Sequence, residues 1–301
     1  MEDESDDERD RWNKEREKVL DEWSEIELKG KDALAMTDTI TEPGGTPSLT
    51  SETPLEDLYP LLVPQDEHPD QPTTSTSSTV STFDRIMQIC LCRPAKASTP
   101  PLVYTHKALV IKLSQVAYDD DNGTHWLLLS DYFRTIAQLA LVTPDPPCPR
   151  IGAHWQIVGF QGTNPATDFR GCGILALLQL HSFTQRIPPN LLKAIVQLST
   201  TEPNDFPLAV VSINITGLIL SMLKNDRFDQ LGNPSTGLYP LLTSLHSASL
   251  AYFCGQYKSL SMTLAQCQTL LTEIDQMLQK SPKSLLSLLD TNNEQLIKQL
   301  L

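Results

Sequence analysis

The chain has 301 residues, of which 40% are hydrophobic and 20% charged, enough apolar material for one core with appendages. Its net charge of −14 is uneven: residues 1–100 carry 23 acidic and 10 basic side chains, whereas residues 101–301 carry 14 and 13. An acidic first third on a balanced remainder excludes a nucleic-acid binder that works by neutralising phosphate, and argues against docking of the tail on an anionic membrane.

Met1 to Asp10 is acidic, which does not suit a secretory or mitochondrial targeting signal. Residues 8–28 then read as one charged helix. Trp12, Val19, Trp23 and Ile26 fall along one side, and acidic and basic residues alternate around the rest. This helix, within an acidic segment 1–32, either rests its narrow stripe on its own domain or binds a partner. Residues 33–82 hold seven prolines, lack hydrophobic periodicity and end in the Ser/Thr run Thr73 to Thr82. They read as a disordered linker, because such a composition buries too little surface to offset the entropy of ordering. One apolar island, Leu55 to Val63, interrupts the linker and reads as a docking peptide or as incidental hydrophobicity.

From Phe83 the composition is that of a folded domain, and residues 83–301 read as one all-α unit. Helical patterns are predicted over 83–92, 103–118, 125–142, 171–186, 190–199, 206–224, 238–257, 259–279, 283–289 and 292–301. Asn190, Asp205 before Pro207, and Ser281-Pro282 supply start signals. Val103 to Val110 and Val210 to Ile215 are β-branched enough to leave a strand open there. Phe206 to Leu223 is an uncharged run of eighteen residues, but it includes Pro207, Ser212, Asn214 and Thr216, so it is expected to be a buried core helix and not a membrane span. Cys90, Cys92, Cys148, Cys172, Cys254 and Cys267 are scattered, with no CxxC pair and no zinc-like Cys/His spacing. Buried thiols, no metal and a cytoplasmic setting are the expectation.

The densest turn chemistry lies between Trp155 and Gly173. Gly159 and Gly162 allow unusual backbone angles, and Asn164-Pro165 starts a turn. Thr167 or Asp168 can cap a helix that begins near Arg170, and Gly171 and Gly173 open that helix with almost no side-chain bulk. The apolar run Ile174 to Leu180 anchors its other end. A single arginine, Arg170, is thereby held on a short glycine-lined loop with Asp168 near enough to orient it. The residues alone leave two readings of Arg170: a structural tie to Asp168 or a carbonyl, and a side chain presented to a partner.

This stretch resembles the signature of the ELMO domain family. Every fixed position of the family pattern is met: Trp155, Gly159, Phe160, Gln161, Asn164, Pro165, Thr167, Asp168, Phe169, Arg170, Gly171 and Gly173. Asn122 to Leu129 and Phe206 to Thr216 resemble two further segments, so the likeness covers roughly residues 84–280. Family members that keep the arginine act as GTPase-activating proteins for Arf and Arf-like small GTPases. Members without it serve as scaffolds, notably with Dock-type exchange factors. The resemblance therefore implies an activator without substrate turnover of its own, in which Arg170 is an arginine finger and the other pattern residues position its loop. It implies no cofactor. The alternative is a non-catalytic adaptor that binds a small GTPase or an exchange factor, with the N-terminal helix as a candidate scaffold contact.

The chemistry of GTP hydrolysis suits that assignment, since a planar guanidinium matches phosphate oxygens and stabilises charge on the transferring phosphoryl group. Gln161 reads as a loop brace rather than a water-orienting group, and His154 as a packing histidine. Gly232 to Gly237 lacks the Lys-Ser/Thr of a phosphate-binding loop, so the chain is not expected to bind nucleotide itself. Asp119 to Gly123 fails as a calcium loop, because Thr124 and Ser130 stand where glycine and glutamate are required.

Overall fold

The computed structural model describes residues 50, 53–63, 99–143 and 148–290. The predicted helices at 8–28, 83–92 and 292–301, and the Ser/Thr run, lie outside the described residues. Within them the fold is all-α, with no strand. Ten α-helices follow in order: α1 (Leu55–Leu62), α2 (Pro101–Leu113), α3 (Gly123–Leu139), α4 (His154–Ile157), α5 (Gly173–Arg186), α6 (Pro189–Thr200), α7 (Leu208–Lys224), α8 (Tyr239–Ser259), α9 (Cys267–Lys280) and α10 (Pro282–Asp290). Two 3-10 turns, Pro165–Phe169 and Leu264–Gln266, complete it.

The segments left open as strands, 103–110 and 210–215, are helical turns of α2 and α7. β-Branched residues lose little there, because both helices are buried on most sides and packing outweighs propensity. The centre of the domain is α5, in which every residue from Gly173 to Thr184 is buried. A helix apolar on all sides has to be surrounded; α3, α7 and α8 pack around it. Most helix starts shift by a residue or two from the sequence signals, but the helix predicted over 103–118 stops at Leu113, and the one predicted over 259–279 begins only at Cys267, after the end of α8 and the 3-10 turn Leu264–Gln266. Asn190 lies inside the first turn of α6, because Pro188 and Pro189 occupy the cap and first positions with their fixed φ.

Part of the stretch read as linker is structured. Leu55–Leu62 is a helix, and Leu55, Leu58 and Leu62, at i, i+3 and i+7, are buried against α2 and α3. The apolar island docks on its own domain. Polar ties fasten both ends. His106 Nε2 lies 2.6 Å from Glu56 Oε1, His125 Nε2 lies 2.9 Å from the Leu62 carbonyl, and Asn122 donates to the Leu61 carbonyl at 3.2 Å. Pro60 sits inside this helix without breaking the docking.

Lys107, on α2, is 3% exposed and donates to Asp226 at 2.5 Å and Asp229 at 2.6 Å, tying α2 to the turn after α7. Removing one partner of such a group strands the others in low dielectric. Lys107→Ala should therefore cost ~3–5 kcal/mol, toward the lower end because Asp226 keeps some solvent. Chemical denaturation of the two proteins checks this, and a cost below about 1 kcal/mol would mean that the carboxylates relax into water.

Candidate functional site

The arginine loop is built on an aromatic wall. Trp155, Phe160 and Phe169 are each buried to within 1%. Trp155 meets Phe160 edge-on at 5.3 Å, and Phe160 meets Phe169 edge-on at 5.7 Å. Tyr132 and Phe133 of α3 close the cluster from behind, with Tyr132 donating to the Val158 carbonyl at 3.0 Å. Trp155 places its indole N–H on the Pro149 carbonyl at 3.0 Å. These rings bury large areas in specific geometries, so they fix the loop as core does.

Two glycines set the close approaches. Gly159, at φ +95°, lies where a Cβ would come within 2.6 Å of the Leu208 and Ala209 nitrogens, at the start of α7. Its carbonyl accepts the Val210 N–H at 3.1 Å. Gly173, at φ +55°, lies where a Cβ would come within 2.5 Å of the Val116 carbonyl oxygen and 2.8 Å of that of Ser114. The next residue, Ile174, donates its N–H to the same Val116 carbonyl at 2.9 Å.

Between them the turn is braced from within. Asn164 caps the 3-10 turn by accepting the Ala166 N–H at 3.1 Å, and Pro165 is its buried first residue. The Thr167 hydroxyl donates to the Asn164 carbonyl at 2.8 Å. Asp168, 5% exposed, accepts the Gln161 N–H at 2.7 Å and lies 3.1 Å from the Thr167 hydroxyl. Gln156 reaches the Gln161 carbonyl at 3.3 Å. Two expectations are corrected here. Neither Thr167 nor Asp168 caps the following helix: α5 starts at Gly173, with Cys172 before it and no side-chain cap. Asp168 does not orient Arg170 by an ion pair, because its oxygens are turned inward onto the loop. Phe169 points into the core, whereas Arg170, the next residue, is exposed with helical backbone angles and is followed by exposed Gly171. Among the described residues Arg170 makes no ion pair or hydrogen bond.

The structure thus gathers all twelve pattern residues into one braced turn. Sequence reasoning missed the surface on which that turn sits. Tyr118 packs its ring on Phe169 at 5.8 Å and on His125 at 5.8 Å, while Val116 holds Ile174. No local pattern announces the contacts to Phe169 and Ile174, which cross more than fifty residues of chain. Cys172, Cys254 and Cys267 are buried thiols not joined in a disulfide, and Cys148 is half-buried, while Cys90 and Cys92 lie outside the described residues. The described residues contain no cluster of His, Cys, Asp and Glu able to hold a metal ion, and no helix long and apolar enough to cross a membrane.

Burial raises the Asp168 carboxyl above the usual carboxylate range; the Gln161 N–H, the Thr167 hydroxyl and the nearby Arg170 charge oppose this only in part. The folded protein therefore holds this proton to higher pH than the unfolded chain. The group's contribution to stability falls as pH rises from the ordinary carboxylate range through the raised value. Asp168→Asn can keep the loop, accepting from Gln161 and donating to Thr167 while Thr167 donates to Asn164. It should be no less stable than wild type near pH 7 and should lose its advantage as the pH falls toward about 4. Melting curves across that range check it. The difference between the two proteins isolates Asp168, since buried His125, His181 and His246, lowered by desolvation, act in the opposite sense. A second measurement concerns Gly173→Ala. It should cost at least about 1–3 kcal/mol from the left-handed backbone alone, with the contact to Val116 adding to that; an unchanged melting temperature would show that α5 can withdraw from its seat.

The ELMO/CED-12 family profile matches residues 108–277, which contain the whole of this turn and α3 to α8. The chain is 30% identical over 183 residues to ELMO domain-containing protein 3 of Mus musculus, covering 60% of this chain and 47% of that protein. It is 28% identical over 185 residues to ELMO domain-containing protein 3 of Homo sapiens, with 60% and 47% covered. Over 122 residues it is 32% identical to ELMO domain-containing protein B of Dictyostelium discoideum, covering 40% of each. The chain spans about half the length of the mouse and human relatives it matches. No solved structure matches it significantly. With more than half of its residues matched, and with the motif folded into a single braced turn, the chain belongs to the ELMO/CED-12 family.

Proposed function

We propose that this protein accelerates GTP hydrolysis on a small GTPase of the Arf or Arf-like kind, with Arg170 as the catalytic arginine. One observation carries the reading: Arg170 is exposed and unpaired among the described residues, while the residue before it, Phe169, is 1% exposed and packed in the aromatic wall. An arginine tied to an internal carboxylate would have to break that tie before meeting a phosphate. Here the backbone is fixed and the side chain is free. Negative charge grows on the γ-phosphoryl and leaving-group oxygens in the transition state, and the guanidinium's fork of donors meets it there. An inserted arginine of this kind contributes about 10³–10⁵ in rate. The exposed side chains Ile151 and Ile157 lie on the chain that leads into this turn and suit contact with a protein partner. The partner is the enzyme in this scheme, and the chain supplies a group to it.

Single-turnover GTP hydrolysis with a panel of GTP-loaded Arf-family proteins tests this. Arg170→Ala and Arg170→Lys should both lower stimulated hydrolysis by about 10³-fold or more, since lysine lacks the fork. Affinity for the GTP-loaded partner should change far less, because the interaction is made in the transition state. The melting temperature should move by no more than about 1–2 °C, as for other exposed substitutions. Full stimulation by Arg170→Ala would remove the finger and leave a non-catalytic adaptor.

A further inference from the structure

Both chain ends that flank Arg170 are fastened to one short neighbour. On one side Phe169 rests on Tyr118, and on the other Gly173 and Ile174 rest on the carbonyls of Leu113, Ser114 and Val116. Residues 113–118 therefore form a common seat for the arginine turn. The seat is itself tied down by one side chain. His125 packs its ring on Tyr118 at 5.8 Å and accepts the Asp119 N–H on Nδ1 at 3.1 Å. With Nδ1 accepting, the remaining ring proton sits on Nε2 and is donated to the Leu62 carbonyl at 2.9 Å, the last residue of α1. A continuous path of packed groups thus runs from α1 through His125 and Tyr118 to Phe169 and Arg170. Helix α1 lies outside the matched residues 108–277, so this support is not contained in the family domain.

We infer that Tyr118 is a positioning residue for Arg170, and that docked α1 holds Tyr118 in place through His125, so that a segment ahead of the family domain controls the arginine turn. The inference rests on the reading of Arg170 as the catalytic arginine, but half of its test does not. Tyr118 makes no hydrogen bond or ring contact with Arg170 among the described residues; it acts by limiting where the Phe169 backbone can be. A shift of the order of 1 Å at a transition-state donor is enough to lower a rate about a hundredfold. Release of α1 frees the His125 ring and lets the seat move.

The experiment uses the full chain with Tyr118→Phe, Tyr118→Leu and Leu58→Asp, the last placing a charge on the buried face of α1. Amide hydrogen exchange over residues 166–172 is read first, together with melting curves. Single-turnover hydrolysis at saturating chain and affinity for the GTP-loaded partner are read second. Tyr118→Phe keeps the ring and should match wild type in exchange of the turn, saturating rate and affinity. Tyr118→Leu and Leu58→Asp should each speed exchange of the turn at least about tenfold while α5 and α7 stay protected. They should lower the saturating rate about ten- to a hundredfold, with affinity changed less than threefold or so. Unchanged exchange in Tyr118→Leu overturns the positioning role. Faster exchange in Tyr118→Leu without it in Leu58→Asp overturns the control by α1. If wild type stimulates no GTPase, the reading of Arg170 fails while the exchange measurements still decide the coupling.

Discussion

The N-terminus of α5 presses its first residue against three backbone carbonyls, and a residue with a Cβ does not fit there. Much of the arginine turn follows from that one approach. Because Gly173 is seated, α5 enters the core at a fixed angle and can be buried around its whole circumference through Thr184. Because α5 is fixed, the three residues between it and Phe169 have little freedom, and Phe169 closes on the aromatic wall from the other side. The polar groups of Asn164, Thr167 and Asp168 then satisfy the turn's own backbone, which keeps buried N–H groups paired without help from a helix. Arg170 is what the scheme leaves over: an exposed charged side chain that the turn ties down by no hydrogen bond or ion pair among the described residues, although its charge is felt by Asp168.

Burial of apolar faces alone would let these helices slide past one another. A few buried polar contacts fix their relation. Ser212 of α7 meets His246 of α8 at 2.9 Å, and Thr216 of α7 donates to Gln179 of α5 at 2.9 Å. Burial pushes His246 down to about 4, so the ring is neutral near pH 7 and can take part in an uncharged hydrogen bond. His106 receives the Leu238 and Tyr239 N–H groups on Nδ1 and faces Glu56 with Nε2, joining α1, α2 and the start of α8 at one ring. Each of these contacts is costly to leave unmade in a low-dielectric interior, which favours the observed packing over slid alternatives, although His246 Nδ1 and Gln179 Nε2 stay buried without a hydrogen-bond partner among the described residues.

Helix periodicity made most of the domain legible in the sequence, because α3, α5, α7 and α8 are long and their apolar positions repeat. The motif residues were equally legible, and the structure brings them into one place. The errors share a physical origin. Thr167 and Asp168 looked like caps because a cap is a local pattern, but the contact that claims Asp168 comes from Gln161 across the turn. The segment Leu55–Leu62 was submerged in the polar composition around it, although Leu55, Leu58 and Leu62 had helical spacing. Tyr118 carried no signal, since its importance lies in the Phe169 ring that reaches it from a distant part of the chain. Local chemistry can be read along the chain; the seat of the turn depends on which distant segments meet.

The abrupt change from buried Phe169 to exposed Arg170 also has an entropic meaning. Fixing a disordered backbone costs about 1–2 kcal/mol for each residue, so a loop that ordered only on meeting its partner would lose much of its binding free energy in doing so. In this turn the backbone is already fixed by folding. What remains to be ordered on docking is one arginine side chain, with about 2 kcal/mol of rotamer freedom at most. Under the proposed function, the free energy of contact with a partner is then left for discrimination between partners, and entry of the arginine would be timed by side-chain rotation on the picosecond-to-nanosecond scale rather than by slower loop closure.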